Sequence, residues 1–108
     1  MKSYILTALF ALSAMAATAA PPETVRLEAY PNPFSSSLQL TITPGQQPVR
    51  SFHLYDLIGK EVIYLDLTRT EGSIHRRIDV SNLPPGVYVA HVETFSGERV
   101  RQKVVKKS

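Results

Sequence analysis

Apolar and polar residues alternate along most of the chain from residue 25 onward. Leu38, Leu40 and Ile42, for example, are each followed by a polar residue. Because successive side chains of a β-strand point to opposite faces of the sheet, this alternation is typical of a strand with one buried face. No segment after residue 20 repeats its apolar residues with the helical period of about 3.6. The pattern therefore predicts an all-β fold.

Turn-forming residues divide this region into seven short strands. Proline has no N–H to donate to a neighbouring strand, so Pro31 and Pro33 end the first strand. Gly59 and Gly86 stand in turns, where glycine adopts a positive φ at little cost. The predicted strands cover residues 25–29, 38–43, 51–55, 61–68, 74–78, 87–94 and 100–105. Short strands separated in this way predict an antiparallel, immunoglobulin-like β-sandwich.

The first 20 residues differ from the rest of the chain. Lys2 supplies a positive charge, and residues 5–15 form an apolar run. Residues 17–19 (Ala-Thr-Ala) have the small-x-small pattern that signal peptidase cleaves. The apolar run is shorter than the roughly 20 residues that a membrane-spanning helix needs, so a retained anchor is the less favoured alternative.

This leader predicts an exported protein with no stable membrane span. Residues 1–19 are expected to be a Sec signal peptide, recognised by the Sec translocon and cut by signal peptidase between Ala19 and Ala20. Residues 20–24 then form a short linker, and residues 25–108 form the single β-sandwich domain.

The composition removes several classes of site. The chain has 108 residues and no cysteine, which excludes disulfides, thiolate metal sites and a cysteine nucleophile. Hydrophobic residues make up 44% and charged residues 19%, as in a folded domain rather than a disordered chain.

The histidines give little sign of a metal site. His53, His75 and His91 all fall on predicted strands, and no two of them have the close spacing of metal-binding pairs. His53 and His75 lie on the face opposite the aliphatic residues, so both are expected to face solvent. No metal and no cofactor are predicted.

The remaining candidates for catalysis are also weak. The three serines at 35–37 lack the Gly-x-Ser-x-Gly surroundings of an activated nucleophile. Asp56 and Asp79 are better explained as turn residues that accept hydrogen bonds from nearby backbone N–H groups. The chain also lacks a glycine-rich phosphate loop, so we expect that it is not an enzyme.

Positive charge is concentrated at the C-terminus, although the formal net charge is only +3. The last ten residues hold five basic residues and no acid: Arg99, Arg101, Lys103, Lys106 and Lys107. This run could be a solvated edge strand whose lysines discourage aggregation, or a binding surface for an acidic partner. Nucleic acid is the least favoured partner, because the chain is exported and no aromatic residues are interspersed among these charges.

Three segments, taken in order, resemble one family. They are residues 30–34 (Tyr-Pro-Asn-Pro-Phe), 54–62 (Leu-Tyr-Asp-Leu-Ile-Gly-Lys-Glu-Val) and 83–89 (Leu-Pro-Pro-Gly-Val-Tyr-Val). Followed by the basic ending at 103–107 (Lys-Val-Val-Lys-Lys), they resemble the type A C-terminal sorting domain of the type IX (Por) secretion system of Bacteroidetes. The resemblance covers about residues 25–108.

The resemblance implies a role as an address label. Such domains are similar to immunoglobulin sandwiches and reach the periplasm by the Sec route. The type IX translocon then recognises the folded domain and carries the attached cargo across the outer membrane. A surface sortase usually removes the domain and can attach the cargo to anionic lipopolysaccharide. The implied location is the periplasm, then the outer-membrane surface or the medium.

The resemblance also transfers a set of signal elements to this chain: Pro31, Asn32, Pro33, Gly59, Gly86, Tyr88, Lys103, Lys106 and Lys107. From the residues themselves, the prolines, the glycines and Tyr88 are better explained by maintenance of the fold. The basic terminal strand is the better candidate for contact with the translocon, because it is expected to be exposed, local and of one sign.

One feature departs from the family pattern. A sorting domain normally follows a large passenger, whereas only residues 21–24 separate the leader from the first strand here, so no cargo domain is expected. The alternative function is an exported β-sandwich that stays in the envelope and acts as an adhesion or protein-interaction module.

Overall fold

The computed structural model describes residues 24–108, which contain seven strands and no helix. The strands are β1 (Arg26–Tyr30), β2 (Ser37–Thr43), β3 (Val49–Asp56), β4 (Glu61–Asp66), β5 (Ile74–Asp79), β6 (Gly86–Thr94) and β7 (Arg99–Lys106). Each predicted strand is present, with ends within two residues of the expected ones. The all-β prediction is therefore confirmed, while the signal peptide and its cleavage site between Ala19 and Ala20 lie outside the described residues.

The strands form two antiparallel sheets. One has the order β1-β2-β5 and the other has the order β4-β3-β6-β7. The chain thus changes sheet between β2 and β3, between β4 and β5, and between β5 and β6. This is the arrangement of an immunoglobulin-like sandwich, as predicted. No helix within residues 24–108 is long and apolar enough to cross a membrane.

The alternation in the sequence places one face of each sheet in a shared core. Pairing of Leu54 with Ala90, and of Tyr88 with Val104, sets which residues of β3, β6 and β7 share that face. The largest fully buried side chains are Phe34, Phe52, Leu38, Leu40, Ile42, Leu54, Leu67, Val80, Val92, Val104 and Thr94. A shift of one residue in any of these pairings would turn the apolar face outward, so burial fixes the register.

The end of β1 and the residues that follow it run along the outer edge of β7. The side-chain amide of Gln102 accepts a hydrogen bond from the Ala29 N–H and donates one to the Ala29 carbonyl, both 2.9 Å long. The side chain of Asn32 accepts from the Val105 N–H at 2.9 Å and donates to the Lys103 carbonyl at 3.2 Å. Two side-chain amides therefore take the place of backbone pairing.

Backbone pairing resumes at Phe34, which forms a parallel bridge with Lys106. The Phe34 N–H donates to the Val105 carbonyl, and its carbonyl accepts from the Lys107 N–H, each at 2.8 Å. We call this line of contacts, from Ala29 through Asn32 to Phe34 along β7, the seam. It satisfies the backbone groups of a strand edge that would otherwise be open to pairing with another chain.

Replacing Gln102 with alanine should destabilise the fold, because the Ala29 N–H and C=O would each lose a half-buried partner. We expect the free energy of unfolding in urea to fall by about 1–3 kcal/mol. Gln39→Ala is the matched control, since Gln39 is exposed on β2, and it should change this energy by less than about 0.5 kcal/mol. Equal effects of the two variants would show that the hydrogen bonds between Gln102 and Ala29 do not contribute to the stability of the fold.

Candidate functional site

The two faces of β7 carry different chemistry. Val100, Gln102, Val104 and Lys106 lie on the face turned toward the core, and Val104 is fully buried. The outer face carries the exposed side chains of Arg99, Arg101 and Lys103, and the exposed Lys107 follows the strand. We call these four side chains the basic face. The five basic residues of the terminal run thus divide into four on the exposed side and one on the other.

Lys106 is held within the protein. Its Nζ donates to the carbonyls of Val80 at 2.8 Å, Ser81 at 3.2 Å and Leu83 at 2.6 Å, all in the connection between β5 and β6. Hydrogen bonds from a charged donor are stronger than neutral ones. The expectation of a uniformly exposed basic strand is therefore wrong for Lys106, because its side chain satisfies three backbone carbonyls of this connection.

Residues 31–33 lie against the basic strand. The peptide bonds before Pro31 and Pro33 are both cis, and all three residues of the motif are exposed. Between the prolines, Asn32 directs its amide to the backbone of Lys103 and Val105. The first and last signal elements, far apart in the chain, are therefore in direct contact.

Gly59 and Gly86 both have a positive φ, of 89° and 146°, which residues other than glycine rarely adopt. A Cβ at either position would have no atom of the described chain within 4 Å, so the backbone conformation itself is what favours glycine. The expected backbone role of both glycines agrees with these angles. Pairing of Asp56 with Tyr88 places the hairpin of Gly59 and the start of β6 at the same end of the sandwich.

Tyr88 is a core residue, as expected, with only 4% of its surface exposed. Its hydroxyl donates to the Pro84 carbonyl, four residues upstream, and its ring lies 6.2 Å from that of Phe34. A tyrosine bonded in this way at the start of the sixth strand is the tyrosine corner of immunoglobulin-like folds. Burial raises the pKa of the Tyr88 hydroxyl, and the charge of Asp56 raises it further.

The structure also reveals an imidazole cluster that the sequence did not predict. Tyr64, His53, His91 and Arg101 form one row across the outer face of the four-stranded sheet. The His53 ring lies 5.5 Å from the His91 ring and 5.2 Å from the Tyr64 ring, measured between centroids. Only the pairing of β3 with β6 brings the two histidines together, so their spacing along the chain carried no signal.

The two histidines have different partners. His53 bonds the Ser51 hydroxyl at 2.8 Å and contacts the Glu61 carboxylate through Nδ1. It lies on the outer face of the sheet, but it is half-buried, whereas the sequence predicted an imidazole that faces solvent. His91 is 8% exposed, and its Nε2 has no hydrogen-bond partner among residues 24–108. His75 on β5 is exposed, as predicted.

The environment of His91 disfavours its charged form. Burial lowers the pKa of His91 below its usual value, and electrostatic interaction with His53, Arg101 and Arg99 lowers it further. Glu93 acts in the opposite direction, but its effect is the smallest of these. His91 is therefore held neutral to a lower pH than a histidine in water.

The carboxylates proposed as turn residues have that role. Oδ1 of Asp56 accepts from the N–H groups of Ile58 and Lys60, and Oδ1 of Asp79 accepts from the N–H and hydroxyl of Ser81. The bonds from Ser81 lower the pKa of Asp79. Within residues 24–108, no three histidine or carboxylate side chains come together as a possible metal site.

Lys106→Met should destabilise the domain, because it leaves the carbonyls of Val80, Ser81 and Leu83 without their charged donor. We expect a loss of about 2–3 kcal/mol in the free energy of unfolding, measured in urea. Lys107→Met, which removes an exposed lysine next to it, should cost less than about 0.5 kcal/mol. If Lys106→Met proves as stable as Lys107→Met, the three bonds do not hold the β5–β6 connection.

The neutral state of His91 should make stability depend on pH. Because its pKa in the folded protein lies below the unfolded value near 6.5, the unfolded chain binds a proton more readily. The free energy of unfolding should therefore be highest above about pH 6.5 and fall as the pH drops below it. His91→Gln should weaken this dependence in urea titrations from about pH 8 to pH 5. His75→Gln, at an exposed site, should leave it unchanged.

Two solved structures are distantly similar to the chain. A superoxide reductase (neelaredoxin) from Ignicoccus hospitalis is similar at 15% identity with a TM-score of 0.49, covering 85% of this chain and 87% of that one. Its T24K form is similar at 14% identity with the same TM-score, covering 85% and 86%. Likeness at this level says nothing about activity. No curated protein sequence matches the chain.

A family model described as "Secretion system C-terminal sorting domain" matches residues 28–107. The match spans the three motif segments and the basic ending, and thus the seam as well. Members of this family serve as sorting signals and not as catalysts, which agrees with the expectation that the chain is not an enzyme. The chain therefore belongs to the family of secretion system C-terminal sorting domains, that of the type IX (Por) system.

Proposed function

We propose that this domain is a non-catalytic secretion signal that the type IX translocon recognises in folded form and carries across the outer membrane. The observation that carries the proposal is the family match over residues 28–107, nearly the whole described chain. A folded signal also explains why the motif residues are bonded to one another rather than displayed as a linear peptide.

The proposed route begins at the inner membrane. The leader at 1–19 is recognised by the Sec translocon and removed by signal peptidase between Ala19 and Ala20. The domain then folds in the periplasm, where it meets the type IX translocon. After transport, a surface sortase removes the domain, so that cargo joined to it stays at the outer-membrane surface or is released.

The signal residues contribute in two ways. We infer that seven of them build the signal, because their contacts and backbone angles maintain the fold. These are Pro31, Asn32, Pro33, Gly59, Gly86, Tyr88 and Lys106. Lys103 and Lys107 are proposed to touch the translocon. Both are exposed and neither forms a salt bridge within residues 24–108, so their charges are available to an acidic partner.

A reporter fusion tests the function. Residues 20–108 are placed behind a Sec signal and a folded reporter protein, in Bacteroidetes hosts with and without a working type IX translocon. We expect the reporter on the cell surface only where the translocon works. A folded fusion that stays in the periplasm of both hosts would overturn the proposal.

The same fusion tests the role of the two lysines. Lys103→Glu with Lys107→Glu should lower the surface reporter by about tenfold, equivalent to ~1.4 kcal/mol of binding free energy. The matched control is Arg76→Glu with Arg77→Glu, the same change of charge at exposed positions of β5 in the other sheet. Lys106 is left unchanged in both, so that loss of stability does not imitate loss of recognition. Equal export of the two variants would contradict the assignment.

A further inference from the structure

The hairpin between β3 and β4 exposes two large aliphatic side chains in succession. Leu57 is 74% exposed and Ile58 is 90% exposed, more than any other large apolar side chain within residues 24–108. We call this pair the hairpin tip. A single apolar residue at a surface is ordinary, but two adjacent ones that are almost fully hydrated leave apolar area for a partner to cover.

The hairpin that carries the tip is tied by four hydrogen bonds. Oδ1 of Asp56 accepts from the N–H of Ile58 at 3.1 Å and of Lys60 at 2.8 Å. The Asp56 N–H donates to the Lys60 carbonyl at 2.9 Å, and the Asp56 carbonyl accepts from Gly59 at 3.0 Å. The two aliphatic side chains are therefore presented by an ordered turn, which lowers the entropy lost when a partner binds them.

A groove on the outer face of the four-stranded sheet adjoins the tip. Leu57 lines it together with Tyr55, Val89, His91, Arg99 and Arg101. One side of the groove is thus apolar and aromatic, while the other is formed by two arginines of the basic face. A mixture of apolar, aromatic and arginine side chains is characteristic of protein-binding surfaces.

Part of the positive charge of this surface is not paired with a carboxylate. Glu61 contacts His53 and Glu93 pairs with Arg99. Asp56, which also lines the groove, accepts hydrogen bonds within its own turn. Arg101 and Lys103 form no salt bridge within residues 24–108. A partner complementary to this surface would carry carboxylates beside an apolar site.

We propose that the hairpin tip and the adjoining groove form the docking surface for a protein that presents an apolar pocket bordered by carboxylates. The inference rests on the proposed function, since it assigns the surface through which the folded signal is recognised. A protein fits better than a lipid bilayer, because a partner side chain can enter a concave groove whereas a flat membrane surface leaves it unfilled.

The test uses the reporter fusion with Leu57→Ser and Ile58→Ser together. Surface reporter should fall by about tenfold or more, as for the loss of an apolar anchor, while the urea midpoint of the purified domain stays unchanged. Phe95→Ser is the matched control, because Phe95 is 51% exposed in the turn at the opposite end of β6 and should export normally. Arg101→Glu, on the other side of the groove, should lower export in the same way and serves as a second variant.

The outcomes separate the two proposals. Failure of the unaltered fusion to reach the surface would overturn the proposed function and this inference together. Normal export of both the tip variant and Arg101→Glu, with the unaltered fusion working, would overturn the docking surface alone. Co-sedimentation of the purified domain with vesicles of phosphatidylcholine and phosphatidylglycerol tests a membrane as the alternative occupant. Vesicle binding by the unaltered domain that is lost in the tip variant would identify a membrane as the occupant and so reject the protein partner.

Discussion

The seam between residues 29–34 and the last strand is the constraint on which the rest of the structure depends. The sheet that contains β7 would otherwise end in an open row of backbone N–H and carbonyl groups. Asn32 and Phe34 satisfy these groups, and the side chain of Gln102 in turn bonds the backbone of Ala29. The residues joined in this way are more than 70 positions apart. Closing so long a loop costs conformational entropy, which only a well-packed core can offset.

The seam also explains why the family motifs combine residues with such different chemistry. Asn32 and Tyr88 act through hydrogen bonds to the backbone, and Lys106 does so through its charge. All three contacts converge on β7 or on the connection that leads into β6. The motifs are therefore better understood as the means of holding one strand in place than as separate binding elements, and the exposed groups on that strand remain for recognition.

The outer face of the four-stranded sheet combines features that a stable fold does not require. The buried imidazole of His91, whose Nε2 has no partner among residues 24–108, lowers the stability of the fold. The exposed side chains of Leu57 and Ile58 add none of the stability that burial of apolar surface would give. His91 and Leu57 line one groove together with Arg99 and Arg101. Proteins keep such unfavourable features mainly where a surface has to bind something, which is the physical basis for assigning docking to this face rather than to β5.

The sequence by itself determined the strands and their boundaries, since alternation and turn residues are local signals that do not depend on which strands pair. It also indicated the backbone roles of Gly59 and Gly86 and the burial of Tyr88. Tertiary structure alone decided that Lys106 bonds the carbonyls of the connection between β5 and β6 and that the rings of His53 and His91 are neighbours. Both outcomes depend on the register between strands distant in the chain, which burial of the whole core selects and no single segment encodes.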